Sequence, residues 1–266
     1  SYPSGARSQR RVESGIGKKK DGKKNEVNGN MEGNIVIGGI AKGSGMIAPN
    51  MATMLAFIST NVSISSELLD KLLLEGVERT FNCITIDGCQ STNDMVLVQA
   101  NGESRISISE DDGELFNSFK EALFFVLEDL AKKIVMDGEG ATKFIEIEVV
   151  NALTREEAKK VGMKIANSML FKTAMFGEDL NWGRINAAIG SADVQFDPSG
   201  LDIYLGGVLI VKNGIEHNFN RKLASNLMRK REIFFKVDLK EGKENCRVWT
   251  TDLSHDYIKI NSFYHT

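Results

Sequence analysis

The densest run of glycines in the chain, Gly38, Gly39, Gly43 and Gly45, surrounds Lys42 and leads through Pro49, Ala52 and Thr53 into the apolar stretch Met54–Ile58. Glycines beside a lysine are the raw material of a phosphate-cradling loop, because they permit backbone geometry closed to other residues. In that motif, however, the lysine follows the last glycine and precedes Ser or Thr, and here Lys42 comes before Gly43. The order does not fit nucleotide binding, and taken alone the stretch reads as a Gly-rich connection into a buried strand, with Thr53 a β-branched residue at the strand start. His255 beside Asp256 offers acid–base chemistry, but the plainer reading is an exposed pair ahead of a strand. Cys83, Cys89 and Cys246 and the three histidines, His217, His255 and His265, have no metal-ligand spacing. No zinc site is expected, and an odd set of cysteines argues for a reducing compartment over a disulfide framework.

These residues must be positioned by a sizeable core. Ser65–Phe81 places Leu68, Leu69, Leu72, Leu73 and Val77 on one face behind Ser65 or Ser66 as a cap, which predicts a helix. Gly113–Met136 carries Leu115, Phe116, Phe119, Val126, Leu130 and Ile134 at helical spacing. Thr154 with Glu157 forms a capping box opening a helix to about Asn167, and Asn220–Arg231 is also read as helical. Phe144–Val150 alternates Ile145, Ile147 and Val149 against Glu146 and Glu148, the pattern of a half-buried strand. Strands are further expected at Met95–Ala100, Ile203–Val211, Glu232–Leu239, Arg247–Thr251 and Tyr257–Ile260. Helices and strands interleave, with neighbouring strands near the C-terminus, so the fold class is α+β, a layered α/β sandwich with helices packed on sheets.

The net charge is −3, and residues 1–34 alone carry +4, which leaves −7 for the remainder. There is no overall basic surplus of the kind a nucleic-acid binder shows. Residues 1–34 read as a disordered or atypical, solvated head, and residues 35–266 as the folded domain. Apolar stretches such as Ala122–Leu127 and Gly206–Val211 are far shorter than the roughly 20 residues of a membrane span. No secretory pattern marks either terminus. Neither a nucleic acid nor a membrane is expected as a partner.

The segment Gly38–Leu55 closely resembles the processing-site signature of the ornithine (glutamate N-) acetyltransferase family of arginine biosynthesis. Further blocks follow in the family's order: Asp87-Gly88 with Ser91-Thr92-Asn93-Asp94; Asp137-Gly138-Glu139-Gly140-Ala141-Thr142-Lys143; Lys172-Thr173-Ala174 with Phe176-Gly177-Glu178-Asp179 and Asn181-Trp182-Gly183-Arg184; and Asp256-Tyr257-Ile258-Lys259-Ile260-Asn261. Together they span about Ile35 to Thr266.

The resemblance implies a self-processing acyltransferase with an N-terminal-nucleophile type of fold. The precursor is cut between Ala52 and Thr53, and Thr53 becomes both the first residue of the β chain and the catalytic nucleophile. The chemistry supports that division of labour. A Thr hydroxyl is a poor nucleophile unless a base takes its proton. An α-amine freed by cleavage lies a few ångströms from Oγ1, with a reference pKa of roughly 7.7–8.0. In a ping-pong reaction Thr53 takes the acetyl group from N-acetylornithine and passes it to glutamate. No metal and no organic cofactor is implied; acetyl-CoA serves some members as an acetyl donor. Lys42, Thr53, Glu139, Asn261 and Thr266 match substrate-binding positions. Lys42 suits a carboxylate, and Glu139, between two glycines, suits the amine of ornithine or glutamate. The remaining blocks read as structural: Asn93 and Asp94 at the turn entering the Met95 strand, and Glu178, Asp179, Trp182 and Arg184 as a polar loop around a buried aromatic.

Family members also carry, in a long α portion, a Thr-Thr-Gly turn that supplies the oxyanion hole. The 52 residues before Thr53 contain none, and Thr250-Thr251-Asp252 is a different motif. The chain is therefore read as the β region with a short part of α, its partner being the α chain of the same precursor in an α/β heterotetramer. Alternatives of other classes are a self-processing amidohydrolase or aminopeptidase and an inactive, uncleaved fragment. The compartment expected is the cytoplasm, with the mitochondrial matrix as the alternative.

Overall fold

A computed structural model of the chain describes the backbone of residues 10–12 and all of residues 34–47, 54–89 and 93–263. Ala52, Thr53 and Thr266 lie outside the described residues. The chain divides into two compact units, where the sequence reading treats residues 35–266 as one domain.

The first unit takes residues up to 42, 54–81 and 94–131. It contains β1 (Arg10–Val12), β2 (Ile37–Lys42), β3 (Leu55–Thr60), β4 (Ser63–Ile64), α1 (Ser66–Arg79), β5 (Met95–Ala100), β6 (Ser107–Ile108) and α2 (Glu114–Met136), whose last residues belong to the second unit. Its main sheet runs β1-β2-β3-β5, antiparallel except for the parallel β3–β5 pair. β3 obeys the two-residue period of a pleated strand: Ala56, Ile58 and Thr60 are buried while Phe57 and Ser59 are exposed. Leu69 and Leu72 of α1 and Phe119, Leu123, Leu127 and Leu130 of α2 fill the core, each contributing on the order of 1.5–3 kcal/mol on burial. Ser65 caps α1, its Oγ accepting from Leu68 N–H at 3.2 Å. Asp94 does more than shape the turn into β5. Its Oδ1 accepts the Met54 N–H at 2.7 Å, joining the starts of β3 and β5. Arg10–Val12 pair with Gly39–Ala41, so three residues of the head extend the sheet edge. An edge strand offers unpaired backbone groups to any extended segment, and composition alone does not reveal that.

The second unit takes residues 43–53, 82–93 and 132–266. Its elements are β7 (Phe144–Ala152), α3 (Arg155–Ala166), α4 (Met169–Phe176), α5 (Trp182–Gly190), β8 (Asp202–Leu205), β9 (Val208–Lys212), β10 (Ile215–Glu216), α6 (Arg221–Met228), β11 (Glu232–Asp238), β12 (Glu244–Thr251) and α7 (His255–Ser262). The sheet order is β10-β9-β8-β11-β7-β12, with β11 and β7 parallel and the other neighbours antiparallel. Ile145, Ile147 and Val149 are fully buried along β7, beside Ile233, Phe235 and Val237 of β11. Phe171 of α4 meets Phe235 edge-on at 5.6 Å between ring centres. Thr154 and Glu157 form the expected capping box of α3.

Three expectations are corrected. Ile203–Val211 is a hairpin, not one strand: Gly206 and Gly207 both take positive φ, the conformation that reverses a two-residue turn. Tyr257–Ile260 is helical, not extended. A four-residue alternation cannot outweigh the Ser254 cap and the acidic first turn at Asp256. Trp182 is only partly buried and opens α5 instead of filling a loop. No helix among the described residues is long and apolar enough to cross a membrane.

Candidate active site

The second unit holds both the approach to the predicted cleavage bond and the Glu139 turn. Asp87 fixes the approach. Its Oδ2 accepts the Met46 N–H at 2.6 Å and its Oδ1 accepts the Ile47 N–H at 3.1 Å. Ile86 N–H donates to the Ile47 carbonyl at 2.8 Å, and Ile47 itself is buried. The Gly43–Ile47 segment is thus tied at both backbone polarities five residues ahead of Ala52. Asp87 also accepts the Tyr257 hydroxyl at 3.2 Å. Burial, followed by the Asp87 charge and this hydrogen bond, pushes the Tyr257 phenol up, so it stays a donor.

Glu139 sits on the turn between α2 and β7. Its N–H donates to the Ser44 carbonyl at 2.7 Å. Its carboxylate lies over Gly45, where an added Cβ would stand 2.5 Å from Oε2 and force the carboxylate to move. Gly140 takes φ +66°, and a Cβ there would meet the Tyr257 nitrogen at 2.3 Å. The turn is locked from β12 onward. The Asp252 carboxylate accepts the Thr142 N–H at 2.9 Å, the Lys143 N–H at 2.8 Å and the Thr142 hydroxyl at 2.5 Å. The Ser254 hydroxyl donates to the Gly140 carbonyl at 2.6 Å and accepts the Tyr257 N–H as the cap of α7.

α7 carries Asn261, whose Nδ2 donates to Glu139 Oε2 at 3.1 Å and to the Tyr257 carbonyl at 3.0 Å. The tertiary structure therefore joins Glu139 and Asn261, two of the residues the sequence marks as substrate-binding. Lys42 closes β2 in the first unit and is half-buried. Thr53 and Thr266 lie outside the described residues. A half-buried carboxylate with one oxygen held by an amide keeps Oε1 able to accept from a cationic amine, and Asn261 Oδ1 is a second acceptor.

Arg184 reads as structural, donating to the Leu170 carbonyl at 2.7 Å. Lys143, 7% exposed, pairs with Glu178 at 2.8 Å, and that bond, with the Lys143 charge, holds the Glu178 carboxyl below the usual carboxylate range. The double role of Asp87, and the Asp252 and Ser254 contacts to the Glu139 turn, escaped sequence reasoning. The signals available were the Asp87-Gly88 turn pair and a Ser ahead of an acidic residue at 254–256.

The family model of the ArgJ family matches residues 19–266. The chain belongs to the ArgJ family. The match begins inside the stretch read as an atypical head. The arginine biosynthesis bifunctional protein ArgJ of Caldanaerobacter subterraneus subsp. tengcongensis is 46% identical over 242 residues, covering 89% of this chain and 60% of that protein. The ArgJ of Streptococcus thermophilus is 47% identical over 232 residues, covering 87% of this chain and 58% of that protein. The chain thus spans about 60% of the length of the curated ArgJ relatives it matches. The crystal structure of ArgJ from Bacillus halodurans superposes with a TM-score of 0.77 at 38% identity, covering 80% of this chain and all of that one. The α+β class read from the sequence is the class of this ArgJ fold.

Proposed function

We propose that the chain works as the β region of a self-processing acetyltransferase that moves the acetyl group of N-acetylornithine to glutamate. Thr53 is the nucleophile in this reading, released as an N-terminal residue by cleavage after Ala52. Its own amine takes the hydroxyl proton as Oγ1 attacks the acetyl carbonyl, and passes that proton to the ornithine nitrogen as the C–N bond breaks. The acetyl group then rests on Oγ1 as an ester until the glutamate amine attacks, Oγ1 leaves and the amine returns a proton to it. Lys42 and Thr266 contribute further substrate contacts. No cofactor enters, because the chain's own hydroxyl carries the acyl group. The α portion of the same precursor, with its oxyanion donor, completes the enzyme as an α/β heterotetramer in the cytoplasm.

The observation that carries this reading is the Glu139–Asn261 bond, in a chain of the ArgJ family. A carboxylate and an amide carbonyl side by side select an ammonium group, and the leaving and accepting substrates each present an α- or δ-amine of an amino acid. Mass spectrometry of the purified chain tests the processing step: a fragment beginning at Thr53 is expected beside the intact 29.4 kDa species. Incubation with N-acetylornithine and glutamate, together with the α portion, should yield N-acetylglutamate. Release of free acetate instead would make the protein a hydrolase. Thr53→Ala should abolish both steps, and undiminished transfer in that variant removes Thr53 from the mechanism.

A further inference from the structure

Among the described residues of the second unit, Lys172 of α4 is the most deeply buried lysine, 3% exposed. Its Nζ donates to Thr250 Oγ1 at 3.0 Å, to the Thr251 carbonyl and to Thr251 Oγ1 at 3.3 Å. An ammonium has three donors, and three acceptors surround this one. Leu253 N–H donates back to the Lys172 carbonyl at 3.2 Å. A single residue therefore holds both sides of the strap from Thr250 to Ser254, where β12 ends and α7 begins.

That strap positions both members of the amine-binding pair. Through Asp252 it accepts three hydrogen bonds from Thr142 and Lys143, and through Ser254 it donates to the Gly140 carbonyl, so it grips the segment that leads from Glu139 into β7. Ser254 also caps α7, on which Asn261 is carried one turn beyond Tyr257. We infer that Lys172 is the positioning residue of the Glu139–Asn261 pair, its ammonium fixing the strap that sets where the carboxylate and the amide stand. The inference takes its substrate, an amino-acid amine, from the proposed function; its geometry is independent of that.

A lysine is a costly way to fill this space. An apolar side chain of equal length would pack as well but leave Thr250 Oγ1 and both Thr251 oxygens facing it without a donor. The charged groups around Nζ are Asp252, from the end of β12, and Asp87, from the 85–88 turn. Both favour the ammonium, yet burial outweighs them and draws Lys172 down to about 7. The strap is therefore fully held only while Lys172 is protonated.

Hydrogen exchange on the chain and its Lys172→Met variant tests the positioning without any substrate. The Thr142, Lys143 and Tyr257 amides should exchange roughly tenfold faster or more in the variant, while the Ile147 and Val149 amides of β7 keep their protection. Calorimetric titration with glutamate and with N-acetylornithine should show affinity falling about tenfold. A modest weakening is expected in the wild type between pH 6 and pH 8, as Lys172 loses its proton, and should be absent in the variant. Unchanged exchange at those three amides overturns the inference. So does unchanged affinity in a variant whose strap has loosened. If the wild type binds neither ligand, the amine-site reading fails, and the exchange data still decide whether Lys172 holds the strap. Should Lys172→Met fail to fold, Thr250→Val removes one acceptor without changing shape and should raise exchange at the same amides by a smaller factor.

Discussion

The side-chain amide of Asn261 donates to the Glu139 carboxylate at 3.1 Å across 122 residues of sequence. One partner is an exposed residue of the last helix and the other lies on a turn shaped by Gly140. Neither element alone could fix the separation of the two groups, so function should respond to changes in either.

Glu139→Gln and Asn261→Ala should each raise KM for the amine-bearing substrate while leaving the fold intact. Hydrogen bonds to charged groups contribute about 1.5–3 kcal/mol, so roughly 10–100-fold is expected for Glu139→Gln and less for Asn261→Ala. Steady-state kinetics of the two variants and their combination should show non-additivity, since each removes the other's partner. Fully additive effects would mean that the pair does not act together.

Gly45→Ala should cripple substrate binding although it adds one methyl group. The new Cβ would stand 2.5 Å from Glu139 Oε2 and 2.6 Å from its carboxyl carbon, so the carboxylate must swing away. Gly38→Ala is the control: a Cβ there meets nothing within 4 Å. Denaturant midpoints of both variants should stay within about 1 kcal/mol of wild type, with the affinity loss confined to Gly45→Ala.

Asp87→Ala should slow cleavage of the Ala52–Thr53 bond, because the Met46 and Ile47 N–H groups lose their acceptor and the approach to the bond is no longer held. A buried or part-buried donor left without a partner costs about 1–3 kcal/mol. Asp87→Asn keeps one acceptor oxygen and should be milder. A time course of intact mass distinguishes the two. Equal cleavage rates in all three proteins would detach Asp87 from processing.

Lys172 sets a pH dependence whose sign can be worked out. Its folded value, about 7, lies below its unfolded value, so between these limits the unfolded chain binds more protons. The cost of the buried charge is fully present below about pH 7 and is relieved as pH rises toward 10.5. From pH 7 to pH 9 the wild type should gain about 2 kcal/mol of unfolding free energy relative to Lys172→Met. Urea unfolding of both proteins at the two pH values measures this; parallel curves would mean that Lys172 keeps an ordinary lysine pKa.

Much of this was legible before folding. The capping box at Thr154, the cap at Ser65 and the alternation of β7 are local patterns, because a helix start or a half-buried strand is decided within a few residues. The ordered blocks were equally legible, and they point to Lys42, Thr53, Glu139, Asn261 and Thr266. Errors fell where two local patterns compete over a short span, as in Tyr257–Ile260, or where two glycines break a run, as at Gly206 and Gly207.

The sequence by itself determined the fold class and the family, since these follow from side-chain types and their order along the chain, and its resemblance to that family marked the residues expected to carry the chemistry. Only the tertiary structure decided which of them meet. It set Glu139 against Asn261, made Asp87 the anchor of the Gly43–Ile47 segment and enclosed Lys172 among the oxygens of Thr250 and Thr251. The physical reason is that hydrogen bonds and desolvation act over a few ångströms of space, whereas the partners they join are separated by 40 to 122 residues of chain.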